Sequence, residues 1–386
     1  MKSILYYSCL VSDSLLSEII RQCNGKNLPT QSIQKFHKLL TTGINKKMDV
    51  CCISSIPFSN KNIDLTNINL IKDSNFHYTS RYNKSNIIRQ MLNFLMSFYY
   101  TLKVGKKKKN IAIFDYLNFS VSFGGYLACK ILGIKTIIII TDFPDLMVNE
   151  SVSKFVTRLK YKWVDSFDGY ILLSEHMNEI VNKNQKPYLI MEGLVDSEYL
   201  VNDITSKEKI VLYAGGLYEK YGIKKLVDAF LLTQNDYELH LYGKGDAVEY
   251  IQKKAKENRR VKYFGVVENK VIVEKISNCS LLVNPRPSNL ILSRYSFPSK
   301  NMEYMLSGTP LLTTKLPSIP NDHYPYVYFI EDETVEGFKI SLNKILTKDS
   351  NELIEMGRKS NEFVLRNKSN IVQGDRIYHY INNNFL

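Results

Sequence analysis

The chain has 386 residues, 44% of them hydrophobic, which is enough for two α/β domains of ordinary size, each with a buried core. Its 51 Lys and Arg outnumber 38 Asp and Glu, and up to Leu200 the tally is 25 basic against 16 acidic. A cationic half suits phosphates, anionic lipid headgroups or nucleic acid, and charge alone does not choose among them. Six cysteines (Cys9, Cys23, Cys51, Cys52, Cys129, Cys279) lack zinc-site spacing and disulfide-scaffold density, which makes them reduced core residues.

Met1 runs directly into an apolar strand without a charged leader or cleavage site, so no secretory signal is expected and the protein is placed in the cytoplasm. Short β-branched runs follow at Ile4–Tyr7, Val50–Ile53, Ile111–Phe114, Thr136–Ile140 and Tyr170–Leu173, then at Ile210–Tyr213, Glu238–Tyr242, Val261–Phe264 and Leu281–Asn284. Helical stretches between them predict parallel sheets covered on both faces, a doubly wound pattern in each half. The apolar run Met91–Val104 is too short for a spanning helix, which needs about 20 residues. With Lys106–Lys109 next to it, the run reads either as a core helix before a basic turn or as a helix lying in a membrane interface.

Asp142 and Asp145 bracket Phe143-Pro144 after the strand ending at Ile140. Two carboxylates at a strand's carboxyl end suit general acid/base work, and equally the capping of a following helix. His176 is a further polar candidate, though a lone His is more often packed or on the surface. The polar, aperiodic segment Val195–Glu208 is the expected linker. After it, Gly215-Gly216 closes a strand, where glycine lets backbone N–H groups approach a diphosphate or simply makes a tight turn. Gly243 opens Gly-Lys-Gly after the next strand, which is not a dinucleotide fingerprint.

The strongest pattern is Ser296–Pro310, SFPSKNMEYMLSGTP. Pro298 fits a first helical turn, Ser299 can cap, and Gly308 ends the helix. Free N–H groups at its start, with Lys300 beside them, make a cradle for a diphosphate. Glu303, one turn further, is placed to receive both hydroxyls of a ribose. A plain surface helix with an exposed Glu would read the same in isolation.

In order, IVLYAGGLYEKYGIKKLVDAF, ELHLYGKGD, VKYFGVVEN, LLVNPRPSN and FPSKNMEYMLSGTPLL resemble the C-terminal half of glycosyltransferase family 4 of the bacterial polysaccharide type. The N-terminal half is similar only in outline, through NLPTQSIQKF, TDFPD and DGYILLSEHM. The resemblance implies an α/β GT-B fold, two doubly wound Rossmann-like domains facing across a cleft. Residues 1–198 would bind acceptor, 199–365 the nucleotide-sugar donor, and 366–386 would return as a helix to the first domain.

It further implies that Glu303 holds the donor ribose. The family's first motif carboxylate falls at Tyr295, and its diphosphate-neutralising Arg and Lys fall at Gly216 and Tyr221, so Lys220, Arg294 and Lys300 are the cations left to serve. Val266, with Val267, would border the base. The implied activity is retaining, metal-independent hexosyl transfer without a cofactor, from a UDP-linked donor as the family base rate, to a lipid-linked saccharide acceptor of a surface polysaccharide. On the interfacial reading of Met91–Lys109 the protein is peripheral on the inner face of the plasma membrane. The alternative keeps the fold and replaces transfer by epimerisation or hydrolysis of the nucleotide sugar. A nucleic-acid partner is not expected, because no basic stretch carries the interleaved stacking aromatics of such modules.

Overall fold

A computed structural model describes residues 3–22, 31–57, 75–80, 85–105, 111–142, 154–199 and 207–386. Two compact units result, one of Met1–Leu194 with Asn370–Leu386 and one of Val195–Ser369. Of the expected features, NLPT (27–30), Cys23, Lys106–Lys109, Phe143-Pro144 and Asp145 lie outside the described residues.

The first unit holds β1 (Ser3–Ser8), β2 (Asp49–Ser54), β3 (Phe76–Tyr78), β4 (Ile111–Asp115), β5 (Lys135–Ile140), β6 (Gly169–Leu172) and β7 (Tyr188–Ile190). They form one sheet in the order β3-β2-β1-β4-β5-β6-β7, parallel throughout. Ile137, Ile138, Ile139 and Ile140 of β5 are all fully buried, as a strand covered on both faces must be. The second unit holds β8 (Glu208–Gly216), β9 (Glu238–Lys244), β10 (Val261–Gly265), β11 (Cys279–Asn284), β12 (Leu311–Thr314) and β13 (Tyr328–Ile330). Its order is β10-β9-β8-β11-β12-β13, again parallel. The chain is α/β with two Rossmann-like parallel sheets.

Helix Asn370–Phe385 belongs to the first unit. Ile377 and Ile381 are fully buried in the cluster that contains Ile4, Ile113 and Ile139. The Tyr380 hydroxyl donates to the Pro187 carbonyl at 2.8 Å and accepts from the Tyr170 amide at 3.1 Å. Gly374 meets Gly43 of helix Gln31–Asn45 so closely that a Cβ on Gly374 would lie 2.2 Å from the Gly43 carbonyl carbon.

Helix Asn86–Gly105 departs from the core helix that is one expectation for Met91–Val104. Its buried residues are Asn93, Ser97, Thr101 and Gly105, while Met91, Leu95 and Tyr99 are exposed. The small side chains allow close approach to helix Phe119–Ile131, where a Cβ on Gly124 would stand 2.2 Å from the Phe94 carbonyl oxygen. Among the described cysteines none forms a disulfide, and burial pushes the thiols of Cys129 and Cys279 up to about 12. No helix among the described residues is long and apolar enough to cross a membrane.

Candidate functional site

In the second sheet the connections diverge between β8 and β11, and the crevice beyond their carboxyl ends is where an open parallel sheet accommodates ligands. Gly215 and Gly216 end β8 and sit in register with Gly243 and Lys244 of β9. Gly243 has φ +134°, and a side chain there would strike the Gly215 carbonyl oxygen, 1.8 Å from an ideal Cβ. Only glycine fits at Gly243.

Helix Ser299–Leu306 brings Lys300 to the same place, because a Cβ on Gly215 would stand 2.5 Å from the Lys300 Cε. The helix is fixed by buried polar side chains. Asn284, at the end of β11, donates from its Nδ2 to the Asn301 Oδ1 at 2.7 Å, and Asn301 in turn reaches the Thr313 hydroxyl at 3.3 Å. The ladder between β8 and β11 reaches only Leu212. Beyond it the buried Tyr304 hydroxyl takes over, accepting from the Ala214 amide at 2.9 Å and donating to its carbonyl at 3.1 Å.

The helix begins differently from expectation. Pro298, extended at ψ 98°, holds the capping position, and no side chain caps the N-terminus, so Ser299 is an exposed first helical residue rather than the cap. Proline lacks a side-chain acceptor, and the leading amides stay without a local cap. Gly308, at φ +72°, ends the helix as expected. Glu303 is exposed one turn beyond Ser299, and no cation pairs with its carboxylate among the described residues.

At Gly216 the environment is aromatic. A Cβ there would stand 2.8 Å from the Tyr218 ring and 3.4 Å from the Tyr221 ring. These two rings meet edge to face at 5.6 Å, and Lys220 Nζ lies 5.8 Å and 5.4 Å from their centroids. The Tyr213 hydroxyl donates to the Gly216 carbonyl at 3.0 Å. Burial raises its pKa, as does the neighbouring Tyr221, while the charge of Arg286 opposes the rise.

Arg286, which the sequence reading passed over, therefore lies within electrostatic reach of the glycine end of β8. Its Nε donates to the Ser293 hydroxyl at 3.1 Å, and Ser293 donates to the Pro287 carbonyl at 2.7 Å. Glu333 pins the same loop by accepting the Ser288 amide on both carboxylate oxygens at 3.1 Å. The signal was in the sequence, since Arg286 follows the β11 strand by two positions, at the predicted carboxyl end.

The remaining candidates scatter. Val266 is 70% exposed just past β10, whose Tyr263 hydroxyl donates to the Gly243 carbonyl at 3.1 Å. Arg294 is exposed and Tyr295 half-buried in the short helix Ile291–Tyr295, and no hydrogen bond or ion pair joins Arg294 to the Lys300 group among the described residues. In the first unit, Asp142 is half-buried just past β5, and His176 is half-buried in the first turn of helix Glu175–Val181.

The carboxyl ends of β1 and β4, the divergence point of the first sheet, hold a buried chain that sequence reading missed. The Tyr6 hydroxyl lies 2.7 Å from His37 Nδ1, and His37 Nε2 lies 3.4 Å from Asp115 Oδ2. Burial, with Asp115 next, holds the Tyr6 phenol protonated far above its ordinary range, and burial pushes the adjacent Cys9 thiol up to about 12. Cys9, His37 and Asp115 offer ligand atoms within 4.8 Å of one another, but both imidazole nitrogens already face polar partners.

The architecture is GT-B, the two-domain fold of nucleotide-sugar glycosyltransferases. Residues 208–348 match the family model described as Glycosyl transferases group 1, so the family signature falls on the unit that carries the glycine edge and Lys300. No curated protein sequence matches the chain. Among solved structures it is similar to the lipopolysaccharide outer core galactosyltransferase WaaB in its apo form, at 16% identity, 99% coverage of both chains and TM-score 0.62. It is also similar to Anabaena HepE in complex with UDP, at 11% identity, 99% and 100% coverage and TM-score 0.66. A third similarity is to sucrose-phosphate synthase from Thermosynechococcus elongatus, at 12% identity, 99% coverage of both chains and TM-score 0.69.

Proposed function

We propose that this protein transfers a hexosyl unit from a nucleoside-diphosphate sugar to a saccharide acceptor, with the donor diphosphate bound at the glycine end of β8. The observation that carries the reading is the seating of Lys300 against Gly215 at the divergence point of a sheet matching the glycosyltransferase group 1 model. The glycine end of β8 meets the Lys300 side chain next to the uncapped start of helix Ser299–Leu306, and a helix start with a lysine beside it suits an anion. Glu303 is the ribose ligand on this reading, free of any competing cation among the described residues.

The leaving group is a nucleoside diphosphate, and each donor aimed at its developing charge is worth about 3 kcal/mol in a closed site. Gly216 and Tyr221 leave that work to Lys300, and Arg286 is the second cation we assign to it. Lys220 is engaged with Tyr218 and Tyr221 instead. A uridine donor is favoured by the HepE likeness, since that protein is in complex with UDP.

The finer reading is retention of configuration without a metal, by same-face attack assisted by the departing diphosphate, onto a lipid-linked acceptor of surface polysaccharide on the cytoplasmic side. Asp142 and Asp145 are its candidate acid/base groups. The test is product analysis with UDP-sugars, with and without a lipid-linked saccharide. Acceptor-dependent release of UDP with a new glycosidic product supports transfer, while rapid turnover of donor alone favours the epimerase or hydrolase alternative.

A further inference from the structure

We propose that the outward face of helix Asn86–Gly105 is a docking surface for an anionic lipid bilayer. The helix is built with its polarity reversed. Its inward stripe is polar: Asn93 accepts from the Thr79 hydroxyl at 2.7 Å, Ser97 donates to the Val121 carbonyl at 2.7 Å, and Thr101 shares a 2.8 Å hydrogen bond with the Tyr7 hydroxyl. Its outward stripe is apolar: Ile88, Met91, Leu95 and Tyr99 are 42, 53, 49 and 52% exposed, at the three- and four-residue spacing of one helix face. A soluble surface helix has the opposite arrangement.

The apolar surface continues onto helix Phe119–Ile131. Phe94 approaches Phe123 at 5.9 Å, and Phe123 stacks at 5.3 Å on Phe119, which is 46% exposed. Contiguous exposed apolar area of this kind marks an interaction surface. Charge selects the occupant. Neither helix contains an acidic residue, whereas Arg89 and Lys103 lie on the first, and Lys130 on the second is paired with Asp168 at 3.4 Å. In the sequence from Ser74 to Phe114 there are eight Lys and Arg and no Asp or Glu. An apolar stripe on a helix that carries cations and no acidic residue is what inserts at a headgroup boundary, and neither signal alone gives stable anchoring. Tyr99 adds an amphipathic ring suited to that boundary.

The proposal concerns the first unit and does not depend on the donor site of the second. Its test is flotation of the full chain with vesicles of phosphatidylcholine alone or containing one-third phosphatidylglycerol. Met91→Glu/Leu95→Glu alters only exposed positions, and an unchanged thermal melt confirms its fold. The expected result is binding to the anionic vesicles that falls about tenfold or more in the double variant, in neutral vesicles and at high salt. Equal flotation of wild type and variant overturns the proposal. So does a wild-type dimer that the variant dissociates, which would assign the face to a second copy of the chain. Nucleotide binding measured on the same preparations reports separately on the transferase reading.

Discussion

The Lys300 side chain occupies the space that any side chain at Gly215 would need, with its Cε 2.5 Å from the ideal Cβ position. This contact joins the end of β8 to the start of helix Ser299–Leu306, and the donor-site assignment rests on it. The Tyr213 hydroxyl lies 2.8 Å from the same point. Gly215→Ala is therefore expected to displace both the Lys300 side chain and the buried Tyr213 hydroxyl, at a stability cost of ~1–3 kcal/mol, while weakening donor binding about tenfold. Titration calorimetry with UDP beside a thermal melt checks both parts. A large fall in melting temperature with donor affinity intact would place the glycine's role in folding alone.

Tyr304 carries the backbone of β8 past the point where β11 leaves it, and its phenol is buried and held far above its ordinary pKa, first by that burial. Tyr304→Phe keeps the ring and strands the Ala214 amide, at an expected cost of ~1–3 kcal/mol in urea unfolding. A cost near zero would mean that water replaces the hydroxyl without loss.

Helix Asn370–Phe385 makes its buried contacts inside the first unit, so its loss is expected to act on that unit's folding. Ile381→Ala should destabilise it by ~2–5 kcal/mol, the range for a buried aliphatic side chain. Denaturant unfolding followed by circular dichroism reads the change. A variant that unfolds like wild type but loses activity would instead assign the helix to domain positioning.

Asp322 accepts from His323 at 2.8 Å and pairs with the buried Lys368 at 3.0 Å. The His323 hydrogen bond first, and Lys368 after it, hold its carboxyl well below the usual range. Its folded pKa is thus below its unfolded one, so its stabilisation is fully present above about pH 4 and lost as pH falls toward the folded value. With the carboxylate half-exposed, Asp322→Asn should cost about 1 kcal/mol at neutral pH after screening. The gap to wild type should narrow below about pH 4, and a constant gap in acid would contradict this.

Long buried strands were legible because β-branched runs such as Thr136–Ile140 admit few other readings, and the helix around Lys300 was legible from its terminators. The strands that escaped, β3, β7 and β13, are three residues each at sheet edges, too short to show a period. Ser299 was misread because Ser beside Pro suits a cap equally at either position, and backbone geometry decided for Pro298. Arg286 and the Tyr6–His37–Asp115 chain escaped because their significance depends on strand order, which brings residues distant in sequence to one sheet end. The inverted helix at Asn86–Gly105 looked apolar in composition, and only burial reveals that Asn93, Ser97 and Thr101 face inward.

The central claim is that a nucleoside diphosphate binds at the glycine end of β8 under Lys300 and Glu303. The most direct measurement is thermal unfolding of wild type, Lys300→Ala and Glu303→Ala with UDP, GDP and ADP. A nucleotide at 100 times its dissociation constant adds about 2.7 kcal/mol. The account predicts that UDP raises the wild-type melting temperature and that both variants, whose unliganded melts match wild type, lose most of that rise. Stabilisation undiminished in both variants, or by none of the three nucleotides in wild type, would contradict it.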